Sequence, residues 1–66
     1  MKTAHDRYGR SIVRGDQVVV NYDGQVMIGW VAQVAELVQV VDVRVVPGES
    51  RPYQSCEVVK AEVYNG

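Results

Sequence analysis

Gly15-Asp16-Gln17-Val18-Val19-Val20-Asn21-Tyr22-Asp23-Gly24-Gln25-Val26-Met27-Ile28-Gly29-Trp30-Val31 reads as a strand, a tight turn and a longer second strand. Val18 and Val20 fall on one face of the first strand, and Gln17, Val19 and Asn21 on the other. Asp23-Gly24 is a two-residue hairpin signal, because both central residues of a type I′ turn need positive φ. Beyond it Val26, Ile28, Trp30, Ala32 and Val34 share one parity, and Gln25, Met27, Gly29, Val31 and Gln33 the other. An isolated glycine in such a strand marks a bulge or a close backbone approach, so Gly29 is expected to be one or the other.

Working outward, Ala35-Glu36 is a short connection and a third strand is expected over residues 37–46, with a change of phase at Val40-Val41. The slip fits one bulge residue, or a strand covered on both faces. Pro47-Gly48-Glu49-Ser50 is a turn. Arg51-Pro52-Tyr53-Gln54 is a short strand that Pro52 restricts to an edge. Ser55-Cys56-Glu57 reads as one 3₁₀ turn capped by Ser55. Residues 58–63 form a last strand, and 64–66 are expected to fray. On the other side, Asp6-Arg7-Tyr8-Gly9-Arg10 and Arg14-Gly15-Asp16 are turns, with Ile12 between them pinning the lead-in to the core. No helical period appears, so the chain is expected to be all-β.

With 66 residues this is one small domain, of a size that buries only about 60% of its unfolded surface. Such domains lean on disulfides, metals or partner subunits. Cys56 is the only cysteine, so it has no partner within the chain; it fits a reducing cytoplasm and the role of a small buried hydrophobe. His5, Cys56 and the scattered carboxylates lack metal-site spacing. No cofactor and no metal is expected, which leaves self-association as the helper. The valine runs are broken by Gln, Asp and Arg, far short of the ~20 apolar residues of a membrane span, and the N-terminus has no apolar signal segment. The chain is therefore expected to be cytoplasmic.

The formal charge of −1 is unevenly placed. Residues 1–14 form a basic lead-in, with Lys2, Arg7, Arg10 and Arg14 against Asp6, while residues 15–64 are an acidic body. The lead-in either docks on an anionic partner or pairs with the body's own carboxylates.

Five short strands with a 3₁₀ turn before the last have the layout of an SH3-like β-barrel. Gly15-Asp16, Val18, Val20, Gly24, Gly29, Val31 and Val34 resemble the KOW and Tudor-like branch of that fold, where a "GD-x-V-x-V" strand leads through a glycine turn into "G-x-V". That resemblance covers about a third of the chain and implies RNA or protein partners. Here the hairpin loop is Tyr22-Asp23-Gly24-Gln25, and Asp23 repels phosphate where a KOW loop tends to carry basic residues. The Tudor-like side implies an aromatic cage, for which Tyr8, Tyr22, Trp30, Tyr53 and Tyr64 are the available walls. Gly15-Asp16-Gln17-Val18, Ile28-Gly29-Trp30 and Pro47-Gly48 also resemble the small plasmid-encoded dihydrofolate reductases, tetramers of SH3-like barrels. Where those carry Val-Gln-Ile-Tyr, this chain keeps only Tyr53 from Glu49-Ser50-Arg51-Pro52-Tyr53, which speaks for the style of assembly and against the reaction.

No catalytic constellation is visible. His5 would have to fold back to reach Ser11, Ser50, Ser55 or Cys56, and Asp16 reads as a turn cap. The expected function is that of a non-enzymatic binding module. A protein partner would meet Tyr22, Trp30, Arg51 and Tyr53; a nucleic acid would meet Arg7, Arg10, Arg14 and Arg44. Val19, Met27 and Val31 are expected on the outside as a self-association surface if Val18, Val20, Val26, Ile28 and Trp30 fill the barrel. Closure the other way puts Ile28 and Trp30 outside. Either arrangement leaves an apolar patch of the kind that marks contact surfaces.

Overall fold

The computed structural model describes residues 1–61. The fold is all-β. β1 (Ala4–His5) and β2 (Ser11–Ile12) form a two-stranded antiparallel pair. β3 (Gln17–Tyr22), β4 (Gln25–Ala35), β5 (Val40–Arg44), β6 (Ser50–Gln54) and β7 (Val59–Lys60) form a five-stranded antiparallel sheet. Its order is β6-β5-β4-β3-β7. Of the last strand expected over residues 58–63, Val58 and Ala61 lie outside β7; its continuation over 62–63, the domain end at 64 and the fraying of 64–66 lie outside the described residues.

The hairpin forms as its turn residues dictate. Asp23 and Gly24 have φ of 52° and 83°, and Asn21 Oδ1 accepts the Gly24 amide at 3.0 Å. This turn sets the register: Tyr22 faces Gln25, Val20 faces Met27 and Val18 faces Gly29. Directly opposed residues share a face, so Val18 and Val20 sit with Met27, Gly29 and Val31. Gly29 marks a close approach rather than a bulge. A Cβ there would lie 2.6 Å from Val43 Cγ1 and 2.9 Å from the Arg44 carbonyl oxygen. The bulge falls later, between Val31 and Gln33, and brings Val34 back to the inner face.

The core is Ala4, Ile12, Val18, Val20, Val31, Val34, Val41, Val43 and Val58, with Val45 and Tyr53 packed against it. Ile12 is fully buried, as expected of the residue that pins the lead-in, and so is Ala4; the lead-in, residues 1–14, contributes to the same core as the rest. Its turn is held by Asp6, whose buried carboxylate accepts amides from Tyr8 (2.9 Å), Arg10 (2.8 Å) and, across the molecule, Lys60 (2.8 Å).

The five strands do not close into a barrel. Among the described residues β6 and β7 are not paired: β7 spans Val59–Lys60 and pairs with Val18 and Val19 of β3. Side chains span the gap instead, Tyr53 Oη donating to the Asn21 carbonyl at 2.9 Å.

The third strand begins later than its valines suggest. Glu36–Val38 form a 3₁₀ turn, and Gln39 then takes a left-handed conformation with φ 53°. The phase change near Val40 arises because Leu37 and Val38 are outside the strand. The second 3₁₀ turn, Ser55–Glu57, stands where expected, but its N-cap is Gln54, with the Gln54 amide donating to Glu57 Oε1 at 3.1 Å. Cys56 in this turn is exposed, not buried.

Candidate contact surface

Because Val18 and Val20 fix the inner face, the other parity of the hairpin turns outward. Val26, Ile28 and Trp30 are 76%, 52% and 51% exposed. Val19 lies opposite Ile28 and Val59; Gln17 and Arg44 lie opposite Trp30. The result is a row of large apolar side chains along the middle of a hydrogen-bonded sheet.

This corrects the expected self-association set. Val31 is 2% exposed and belongs to the core; Met27 is half-buried on the inner face, opposite Val20. Val19 alone of the three lies outside, on the face that also carries Val26 and, as in the other closure, Ile28 and Trp30. The register that demands this was readable from Asp23-Gly24, since the turn pairs Tyr22 with Gln25.

The residues assigned to a protein partner separate. Tyr22 and Arg51 come together at the open edge, far along the strands from Trp30. The Arg51 guanidinium lies 4.0 Å from the Tyr22 ring centroid, with Nη1 2.8 Å from Asp23 Oδ1 and Nε 2.9 Å from Glu49 Oε1. Tyr22 Oη donates to the same Glu49 oxygen at 2.9 Å. That hydrogen bond raises the Tyr22 phenol above its ordinary range, and the Arg51 hydrogen bond holds Asp23 below the usual carboxylate range. The cluster ties the β3–β4 turn to the β5–β6 loop, so its groups satisfy one another. Tyr53 lines a shallow cleft of about 580 Å³ with Arg7, Asn21, Cys56 and Glu57.

The four arginines assigned to a nucleic acid also divide. Arg10 Nε meets Asp6 Oδ2 at 3.2 Å, which removes it from an open basic surface. Arg7 lies in the Tyr53 cleft. Arg14 and Arg44 converge with Gly15, Trp30, Val31 and Ala32 on an open cleft of about 180 Å³.

Asp16 behaves as the expected turn cap, its Oδ2 accepting the Val13 amide at 2.9 Å. His5 is exposed, and its amide donates to Gln39 Oε1 at 2.9 Å. Among the described residues, no group of three or more His, Cys, Asp or Glu could hold a metal ion, and no helix is long and apolar enough to cross a membrane.

The tip at Glu36–Val38, expected as a short connection running into a strand, is a 3₁₀ turn. Leu37 is fully exposed and Val38 is 69% exposed, yet the turn is firmly held. The Gln39 side chain accepts the His5 amide and donates to the Glu36 carbonyl at 2.7 Å, while the Ser55 amide donates to the Gln39 carbonyl at 2.8 Å. The broken parity at Val38 was the available signal. No protein-family model, curated protein or solved structure matches the chain.

Proposed function

We propose that this chain has an SH3-like fold of the KOW/Tudor-like type, built as an open five-stranded sheet, and that it is non-enzymatic, acting as a self-associating protein-interaction module through the outer face of β3 and β4. Support for the fold reading comes from the strand order, in which a short last strand returns beside β3 after a 3₁₀ turn. The functional reading is carried by one observation, the exposed row Val26, Ile28 and Trp30. Full burial of side chains of this kind is worth about 1.5–3 kcal/mol each. The half that remains exposed on Ile28 and Trp30 therefore leaves about 1 kcal/mol each to be gained in a contact. Doubled across two copies, this is useful but modest against an association cost of 4 kcal/mol or more, roughly. The expected complex is reversible and concentration-dependent.

Light scattering tests this. The wild-type chain should exceed the monomer mass as its concentration is raised into the millimolar range, and Ile28→Asp should return it to the monomer with its β-sheet circular dichroism intact. A wild-type monomer throughout that range would overturn the reading.

The meeting of Arg14 and Arg44 beside Trp30 favours a second reading, single-stranded nucleic acid stacked on the indole between two cations. Its mark would be binding that weakens steeply with salt.

A further inference from the structure

The tip and the Trp30 cleft are complementary, and they belong to the same chain. Leu37 stands fully in water on a turn fixed by Gln39 to the N-terminal strand. A mobile loop can expose a leucine at little consequence, but a rigid turn that presents one is organised in advance for a contact. Beside Leu37, Glu36 accepts the Thr3 amide at 3.2 Å and has no cationic partner among the described residues. The tip is thus apolar and anionic.

The cleft is the converse. Trp30, Val31 and Ala32 supply apolar wall, and Arg14 and Arg44 stand at its margin. Neither arginine has a carboxylate partner among the described residues, whereas Arg10 and Arg51 are both paired. The cleft is open to solvent, with a volume of about 180 Å³, so a side chain can lie against the indole from outside.

We infer that the Glu36–Val38 tip of one copy docks in the Trp30 cleft of another, Leu37 against the indole and Glu36 facing Arg14 and Arg44. This rests on the self-association reading and names its second surface. Contact between two different patches either repeats reciprocally in a closed dimer or runs head to tail. Opposite charges at the two patches set the orientation and disfavour pairing of like with like.

Mixing two variants provides the test. Leu37→Asp alters only a fully exposed side chain, and Arg14→Glu combined with Arg44→Glu alters only exposed ones, so both should fold. Each alone should associate less tightly than wild type by on the order of tenfold or more. Mixed together they should form a one-to-one complex tighter than either variant forms alone and weaker than wild type, because one tip-to-cleft contact, the cleft of the first with the tip of the second, is intact. Unchanged assembly of Leu37→Asp, or no recovery on mixing, overturns the tip-to-cleft contact. If Ile28→Asp is then monomeric while Leu37→Asp still assembles, the outer-face reading survives and only this inference falls. A monomeric wild-type chain would remove both.

Discussion

Replacing Asp6 with asparagine should unfold more of this protein than any surface substitution, and the reason is countable. The Asp6 side chain is fully buried. Oδ1 accepts the Tyr8 and Arg10 amides, while Oδ2 accepts the Lys60 amide at 2.8 Å and Arg10 Nε at 3.2 Å. An asparagine oxygen can keep the first pair. Its NH₂ group then confronts two donors, so both bonds to Oδ2 are lost. Hydrogen bonds to charged groups contribute roughly 1.5–3 kcal/mol each, which puts the expected loss at about 3 kcal/mol or more. That is a large share of the 5–15 kcal/mol or so typical of a domain. Urea unfolding at neutral pH measures it as a fall in midpoint with the slope unchanged.

The acid limb gives a second reading of the same group. Burial pushes the Asp6 carboxyl up, but the amides of Lys60, Arg10 and Tyr8 and the charge of Arg10 outweigh it and hold it below the usual range. A folded-state value below the unfolded one means stability that is fully present above the ordinary carboxylate range, begins to fall there, and is lost as pH drops through the lower folded-state value. The gap between wild type and Asp6→Asn should therefore narrow below about pH 4. A loss under about 1 kcal/mol, or a gap that persists unchanged in acid, would refute this account of Asp6.

Gly29→Ala should destabilise by about 1–3 kcal/mol through overpacking, since the new Cβ meets the Arg44 carbonyl oxygen at 2.9 Å and backbone cannot swing aside; a neutral result in thermal unfolding would contradict the close approach. Glu49→Gln should bring the late-titrating tyrosine back toward its ordinary range in a phenolate absorbance titration, because the charged acceptor that favours the Tyr22 proton is gone. An unmoved titration would mean that the hydrogen bond to Glu49 does not set it.

Backbone chemistry made the hairpin legible. Asp23-Gly24 names a turn that few other residue pairs can make, and the alternation on either side names two strands. The choice of inner face was harder, because β4 is apolar on both parities and periodicity alone cannot choose between Ile28 with Trp30 and Met27 with Val31. Register chooses, through Val18 and Val20. Two further features lay beneath the reach of periodicity. β1 and β2 are two residues each, too short to show a pattern, so Ile12 was legible as a core residue by its apolarity alone and Ala4 was not. Closure turned on whether β6 meets β7, a long-range pairing that no local pattern announces and that is absent among the described residues. For the candidate site, aromatic and basic residues could be named from sequence, but their grouping could not. Tyr22 and Arg51 join Asp23 and Glu49 in an internal clasp, while Arg14 and Arg44 meet at Trp30.

Trp30 is the only tryptophan in the chain and stands half-exposed in the centre of the proposed contact, so its fluorescence reports on that contact without any label. Emission recorded over a dilution series should shift to shorter wavelength as concentration rises and the indole leaves water, in step with the rise in mass. A spectrum that stays water-like at every concentration, while the mass rises, would place the contact elsewhere and contradict an outer face built for association.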